Sequence, residues 1–521
     1  MNILITLAGK SRRFSKAGYI KPKFLLEIDG RPIIIHVTEM FSKEDTFYFV
    51  FNKTHISEYP EILDIIKTHV INFNITVIEP HEEGPISSAL YVKDIPKKEP
   101  FILTYCDFFV EWNYNEFKNS VHEYDMVIPS FKGFHPASFG KTTYAYTQVD
   151  KNNELLNLKE KSSFTNDRTN EYANSGIYYF KNWNTFEINA QKLITAGFGI
   201  LKEGYVSLIA NIIKKNGGTV LITEVKKFIC LGTPEDYDMY RFWSEYFLGK
   251  EFSADADLHS DVNLIPMAGL GSRFKQESYN VLKPLIQIGN QSMFSIASNS
   301  FPKAKKWIFI FRNSIKLKSS NLLTKVNESF KDCLIKLIDE TTSGQAATCL
   351  LVKDKLKKNN SLFIASCDYV SIFNNKEWVE SCNDKKIDAY IWTFKNKNII
   401  VRNHKAFAYC EIDKETNTVK KVVEKALISK DPGNDHMVIG SFWFRNTSDF
   451  IEAAEVSIRD DDSVNGEHYI GNSLNYLIKK GKTIKVFEVD KWISFGDPFE
   501  LEVYYYWEEF FYNRYSKRNL L

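Results

Sequence analysis

The chain has 521 residues, 44% of them hydrophobic, and a formal net charge of +2. That length exceeds what one hydrophobic core usually holds and suits two domains. The near-neutral charge argues against nucleic acid or an anionic membrane surface as a partner, and no apolar run reaches the ~18–20 residues of a membrane span.

The first predicted element is the apolar run at 2–7. It is short and leads directly into Lys10, Arg12 and Arg13, so it reads as a buried strand and not as a signal peptide. Further strand-length apolar runs stand at 46–51, 74–78 and 101–105, with helix-period stretches at 61–69 and 87–92. The polar stretch 250–261 is the natural linker. Beyond it, strands are expected at 264–267, 307–311, 334–337 and 362–365. Strands alternating with helices predict an α/β fold with largely parallel sheets, whose ligands bind beyond the carboxyl ends of the strands. The expected domains are therefore 1–249 and 262–521. Seven scattered cysteines without paired metal-site spacing read as reduced thiols, which makes the expected compartment the cytoplasm.

One set of small motifs occurs twice in the same order. Leu7-Ala8-Gly9-Lys10-Ser11-Arg12-Arg13-Phe14 precedes Lys21-Pro22-Lys23, and Met267-Ala268-Gly269-Leu270-Gly271-Ser272-Arg273-Phe274 precedes Leu282-Lys283-Pro284. Gly9 and Gly269, Arg13 and Arg273, and Lys23 and Lys283 are each 260 positions apart. Gly84 matches Gly344, Cys106-Asp107 matches Cys367-Asp368, and Glu160-Lys161 matches Glu424-Lys425. The late Gly232-Thr233-Pro234 matches Gly496-Asp497-Pro498. Preserved order with a slowly drifting offset reads as an internal duplication, and internal repeats decide architecture first.

The residue types point to phosphate chemistry. Small residues in a loop after a strand let backbone N–H groups approach phosphate oxygens, and an arginine there can fork onto them. A downstream lysine supplies a point charge for an α-phosphate. Asp107 and Asp368, at strand ends, are carboxylates that can hold Mg²⁺, a hard cation that bridges phosphates. Cys106 and Cys367 beside them read as small buried residues, since thiolates match Mg²⁺ poorly. His135 and His404 are read as structural loop histidines, and Glu203 and Glu467 as further acceptor contacts.

This motif set resembles the nucleotidyltransferase family of GT-A-like fold, which includes sugar-1-phosphate nucleotidylyltransferases and proteins of bacterial capsule and lipopolysaccharide synthesis. The resemblance covers both halves nearly end to end. It implies two tandem GT-A-like, Rossmann-like modules with mixed, mainly parallel central sheets. It further implies an enzyme that uses an NTP to activate a phosphorylated small molecule, a sugar 1-phosphate in the first instance, with Mg²⁺ as cofactor and pyrophosphate as product. Ala8, Gly9, Ser11 and Gly84 in one module, and Ala268, Gly269, Gly271, Ser272 and Gly344 in the other, would bind the nucleotide. Arg13, Lys23, Arg273 and Lys283 would be catalytic, and Asp107 and Asp368 would hold the metal. Glu160, Lys161, Glu424 and Lys425 would hold the acceptor.

The sequence departs from that pattern twice. Module one has Ser11 and Arg12 where module two has Gly271 and Ser272. A second metal aspartate, expected two residues before the late glycine, is Cys230 in one module and Ser494 in the other. Either one Asp, substrate phosphates and water hold the metal, or Glu235, Asp236 or Asp497 substitutes, or the chemistry differs. A GT-A-fold glycosyltransferase, or one catalytic module beside a regulatory one, are the alternatives. The aromatic runs at 237–247 and 504–515 offer a homo-oligomer interface or, in the plainer reading, closing helices packed within each module.

Overall fold

The computed structural model describes residues 1–140, 142–197, 203–249, 258–277, 279–318, 320–331, 333–395 and 401–516. It divides into two compact units, Met1–Gly249 with Glu509–Leu521, and Lys250–Glu508. Residues 509–516, expected with the second module, thus group with the first unit.

In the first unit the run Asn2–Leu7 is a strand buried along its whole length. A continuous apolar run suits a central parallel strand covered on both faces. It pairs in parallel with Thr46–Asn52 on one side and Phe101–Thr104 on the other, and Asn72–Ile78 extends the parallel group. Beyond Phe101–Thr104 the sheet turns antiparallel through Ile177–Phe180 and Met126–Phe131. Val220–Glu224 returns in parallel beside Met126–Phe131. The sheet is therefore mixed, with a parallel core. The helix Glu61–His69 buries Ile62 and Ile66 and leaves its charged residues outward, which is how a 3.6-residue period covers a sheet.

The second unit has the order Leu334–Ile338, Lys303–Arg312, Leu258–Met267, Leu362–Ile364, His436–Phe444, Ala389–Phe394, Ile484–Glu488. The first three pairings are parallel, and His436–Phe444 runs antiparallel to both its neighbours. Its first strand starts at Leu258, six residues before the expected start, so 258–261 is sheet and not linker. Asp261 hid that extension: its carboxylate accepts hydrogen bonds from Ser361 N and pairs with Lys305 Nζ at 2.8 Å, so a charged residue on this strand is partnered. Residues 250–257 of the expected linker lie outside the described residues.

Each unit also has a two-stranded ribbon that periodicity alone did not reveal. Phe108–Glu111 pairs antiparallel with Lys227–Cys230, and Tyr369–Ile372 with Lys491–Ser494. The ribbons start one residue after Asp107 and Asp368. They bring Cys230 opposite Phe108 and Ser494 opposite Tyr369, beside the strand-end carboxylates.

Candidate active site

Each unit opens a cleft at the carboxyl ends of its parallel strands. The first, about 430 Å³, is lined by Ala8, Gly9, Ser11, Arg13, Lys23, Gly84, Asp107, Glu160 and Lys161 among others. The second, about 730 Å³, is lined by Ala268, Gly269, Ser272, Arg273, Gly344, Asp368, Glu424 and Lys425 among others. Gly271 and Lys283 are not part of that lining. Lys283 reaches the cleft floor through Asp368, with Nζ 2.6 Å from Oδ2. A methyl on Gly271 would lie 3.7 Å from Lys283 Cβ.

The loop after the first strand needs one residue in left-handed conformation before its helical turn. In the second unit this is Gly271, at φ 60°. In the first it is Ser11, at φ 48°, a conformation that costs an L-residue energy. The Ser11 hydroxyl accepts a hydrogen bond from Lys23 N at 3.2 Å, which ties the loop to the lysine segment. The sequence departure at this position thus keeps the backbone path and exchanges free rotation for a tether.

Each lysine sits on the aspartate of its own unit in the same way. Lys23 Nζ lies 2.6 Å from Asp107 Oδ2, as Lys283 does from Asp368. Burial pushes each carboxyl up, and the adjacent ammonium more than offsets this, so Asp107 and Asp368 both stay below the ordinary carboxylate range. Lys283 Nζ also donates to Gly496 O at 2.9 Å. Burial raises the Cys106 and Cys367 thiols to about 12, which keeps them as neutral packing groups.

The Glu–Lys end of each cleft is built alike. Lys161 and Lys425 have φ 57° and 55°, and their ammonium groups lie 5.2 Å and 5.1 Å above the rings of Tyr205 and Tyr469. Lys161 Nζ donates to Thr143 O at 2.9 Å, and Lys425 Nζ donates to Ala406 O. The glutamates differ. Glu160 accepts a hydrogen bond from Ser207 Oγ. At the matching place in the second unit stands Gly471, where a methyl would lie 2.6 Å from Glu424 Oε1. Burial raises the Glu424 carboxyl to about 7, against the pull of Lys425.

Glu203 lines the first cleft and Glu467 the second. His135 and His404 are not among the lining residues. His135 is buried on Lys132 O, at 3.2 Å, and His404 Nδ1 lies 2.9 Å from Tyr409 Oη.

Two groups escaped the sequence reading. Glu82, at the mouth of the first cleft, pairs with both Lys10 and Arg12, the former at 2.9 Å. The second unit has Thr342 in the matching place, bonded to Thr348. Glu500 is the other. Its Oε2 accepts hydrogen bonds from Ser494 Oγ at 2.5 Å and from Gly496 N at 2.9 Å. Asp236, which matches it in the first unit, accepts from Thr233 Oγ1 at 2.7 Å and from Cys230 Sγ at 3.3 Å. The signal was present: Thr233-x-x-Asp236 and Asp497-x-x-Glu500 open helices as capping boxes do. A capping box, however, points to helix starts and not to clefts.

The segment that carries the second cleft matches a known sequence family. Residues 262–508 match the nucleotidyl transferase family. By sequence, then, the second unit is similar to nucleotidyl transferase domains. Among curated proteins, the bifunctional protein GlmU of Methanococcus maripaludis (strain C5) is 24% identical over 253 residues, which is 47% of this chain and 51% of that protein. The bifunctional protein GlmU of Methanocaldococcus jannaschii is 28% identical over 182 residues, 34% of this chain and 40% of that protein. The chain spans about half the length of the curated relatives it matches. Among solved structures, the nucleoside-diphosphate-sugar pyrophosphorylase from Vibrio cholerae RC9 aligns at 24% identity and TM-score 0.39, covering 46% of this chain and 98% of that one. The inositol-1-phosphate CTP transferase from T. maritima aligns at 13% identity and TM-score 0.38, covering 48% of this chain and 96% of that one. Among the described residues no helix is long and apolar enough to cross a membrane.

Proposed function

We propose that this protein is a nucleotidyltransferase that joins the nucleotidyl group of an NTP to a phosphorylated small molecule, a sugar 1-phosphate in the first instance, and releases pyrophosphate. The observation that carries the reading is the second cleft, in which Arg273, Asp368 with Lys283 held on it, and Glu424–Lys425 come together within the segment that matches the nucleotidyl transferase family.

An acceptor phosphate is already anionic near pH 7, so no side chain needs to remove a proton from it. Its oxygen attacks the α-phosphorus, the bond to the β-phosphate oxygen breaks, and pyrophosphate leaves. The obstacle is anion meeting anion, so catalysis is positioning plus charge neutralisation. Arg273 clamps the leaving pyrophosphate, and Lys283 offsets charge at the transferring phosphorus. Lys425 draws in the acceptor phosphate, and Glu424 accepts hydrogen bonds from acceptor hydroxyls. The oxygen donors at the cleft floor suit Mg²⁺: Asp368 stays ionised, and Ser494 and Glu500 stand beside it without thiolate or imidazole. Mg²⁺ bound there would neutralise charge on the phosphates.

The second unit is the one we assign the reaction. In the first, Glu82 already occupies Lys10 and Arg12 at the loop, and Ser207 already occupies Glu160. The two units read as copies of one module, supported by the repeated motif order and the matching strand arrangement. A place in capsule or lipopolysaccharide synthesis follows from the resemblance of the motif set.

Pyrophosphate release with Mg²⁺, measured for the intact protein across four NTPs and a panel of phosphorylated acceptors, tests the reading. Acceptor-dependent release with one NTP is the expected result and names both substrates. Binding of a nucleotide sugar without pyrophosphate release from any pair would replace it with the glycosyltransferase alternative.

A further inference from the structure

We propose that Glu500 supplies, together with Asp368, the second carboxylate of a divalent-cation site in the second unit, in place of an acidic residue at the strand end, where Ser494 stands. The inference rests on reading the second cleft as a nucleotidyl-transfer site.

The geometry begins with the chain reversal at Gly496. The strand Lys491–Ser494 ends, Phe495 N donates to Asp368 O at 2.7 Å, and the helix Pro498–Ser516 starts two residues after Gly496. Asp497 caps that helix, accepting from Glu500 N at 2.9 Å. In a simple capping box the glutamate would return its carboxylate chiefly to the cap N–H. Here that bond is the longest Glu500 makes, 3.3 Å to Asp497 N. The shorter ones, 2.5 Å from Ser494 Oγ and 2.9 Å from Gly496 N, pull the carboxylate back to the strand end. A methyl placed on Gly496 would lie 3.0 Å from Glu500 Oε2, 3.2 Å from Ser494 Oγ and 3.8 Å from Asp368 Oδ2. Two carboxylates from separate elements therefore border one small volume at the cleft floor, and Glu500, Ser494 and Asp368 all line the cleft.

A carboxylate carried on a helix turn is one methylene longer in Glu500 than in Asp236, and that length decides its place. Asp236 is held by its own cap, Thr233, and by Cys230 Sγ. The atoms nearest a methyl on Gly232 belong to Asp107 and Cys230, with Asp236 not among them. The first unit thus draws its helix carboxylate back, and the second extends it. Hard divalent cations are held by one or two carboxylates, with water and phosphate oxygens completing the shell. The strand-end position asks only for an oxygen there, and Glu500 brings one from six residues farther along the chain.

The test is Mn²⁺ binding to the full-length protein, followed by electron paramagnetic resonance with the metal alone. Asp107→Asn is the parent, so that the signal reports the second unit. Glu500→Gln keeps one oxygen for the hydrogen bonds from Ser494, Gly496 and Asp497 and replaces the other with an amide that cannot bind a cation. It should weaken Mn²⁺ binding by about tenfold or more while leaving the melting temperature unchanged. Ser494→Asp added to Glu500→Gln should restore binding, because it returns a carboxylate to the strand end. Ser494→Asp alone should bind Mn²⁺ more tightly than the parent, which keeps the proposal testable should the Gln variant not fold. Parent-like binding by Glu500→Gln, with binding lost in Asp368→Asn, would overturn the role of Glu500 and leave the reading of the cleft intact. Parent-like binding by both Glu500→Gln and Asp368→Asn would overturn both.

Discussion

Lys283 Nζ lies 2.6 Å from Asp368 Oδ2 at the floor of the second cleft, and the same pair, Lys23 with Asp107, recurs in the first. An ammonium held this way is aimed before any substrate arrives, and a preorganised charge loses little in reorganisation when the transition state forms. Lys283→Ala should therefore lower kcat/KM for pyrophosphate release by about 10²–10³-fold, a typical loss for one charge-stabilising donor. Lys23→Ala should leave that rate within about twofold if the second unit carries the reaction. Equal losses from both variants would mean that both clefts contribute.

The pH dependence follows from Glu424. Burial raises its carboxyl to about 7, above the 4.5 of the free side chain. Below pH 7 the protonated form can no longer receive two hydroxyl donors as a carboxylate does, so KM for the acceptor should rise as pH falls through 7. Glu424→Gln should flatten that profile. The stability term has the opposite sense. The folded state keeps a proton that the unfolded chain releases, so the contribution is fully present below about pH 4.5 and is lost as pH rises through about 7. Melting curves of the parent and Glu424→Gln should accordingly diverge between about pH 4.5 and 7, with the variant losing less stability as pH rises.

The left-handed position in the loop after the first strand makes a second pair of variants informative. Gly271→Ala meets only ordinary contact with Lys283 Cβ, at 3.7 Å, so its cost is the backbone strain at φ 60°, about 1–2 kcal/mol. Ser11→Gly removes the same strain but also the Ser11–Lys23 hydrogen bond, a net loss of about 0.5–1.5 kcal/mol. The two terms nearly cancel, so Ser11→Gly should be close to neutral in a denaturant titration while Gly271→Ala is clearly destabilising.

Gly344 carries a different constraint. A methyl there would lie 2.6 Å from both His468 N and His468 O, and backbone cannot step aside as a side-chain tip can. Gly344→Ala should destabilise the protein by about 1–3 kcal/mol and displace the loop at 341–344 that borders the cleft. Fluorescence-detected unfolding gives the first effect, and a raised KM for the NTP gives the second.

Glu82 should act as an internal competitor for polyphosphate. It already neutralises Lys10 and Arg12 at the first loop. In an Asp368→Asn background, Glu82→Ala should bind inorganic tripolyphosphate more tightly than its parent, measured by calorimetry. Weaker or unchanged binding would show that these two bases do not face an incoming anion.

Much of this molecule is local chemistry, and local chemistry is legible in a sequence. The strands at 2–7, 46–52 and 101–104 are continuous apolar runs because both faces of a parallel strand are covered. The loop, its arginine, the downstream lysine and the strand-end aspartate could be named because each sits at a fixed distance from such a run, and repetition separated them from chance. The strand from Leu258 could not be seen in full, because its charged residue is satisfied by Ser361, a hundred positions away. By itself, the sequence determined two α/β sheets, the order of their motifs and the residue types of a candidate phosphate site. Only the tertiary structure decided that Glu500 turns back to Ser494 and Gly496, that Glu82 closes on Lys10 and Arg12, and that Ser207 holds Glu160 while Gly471 offers Glu424 no side-chain donor. Those pairings depend on where the chain reverses and how far a side chain extends, which spacing along the chain does not encode.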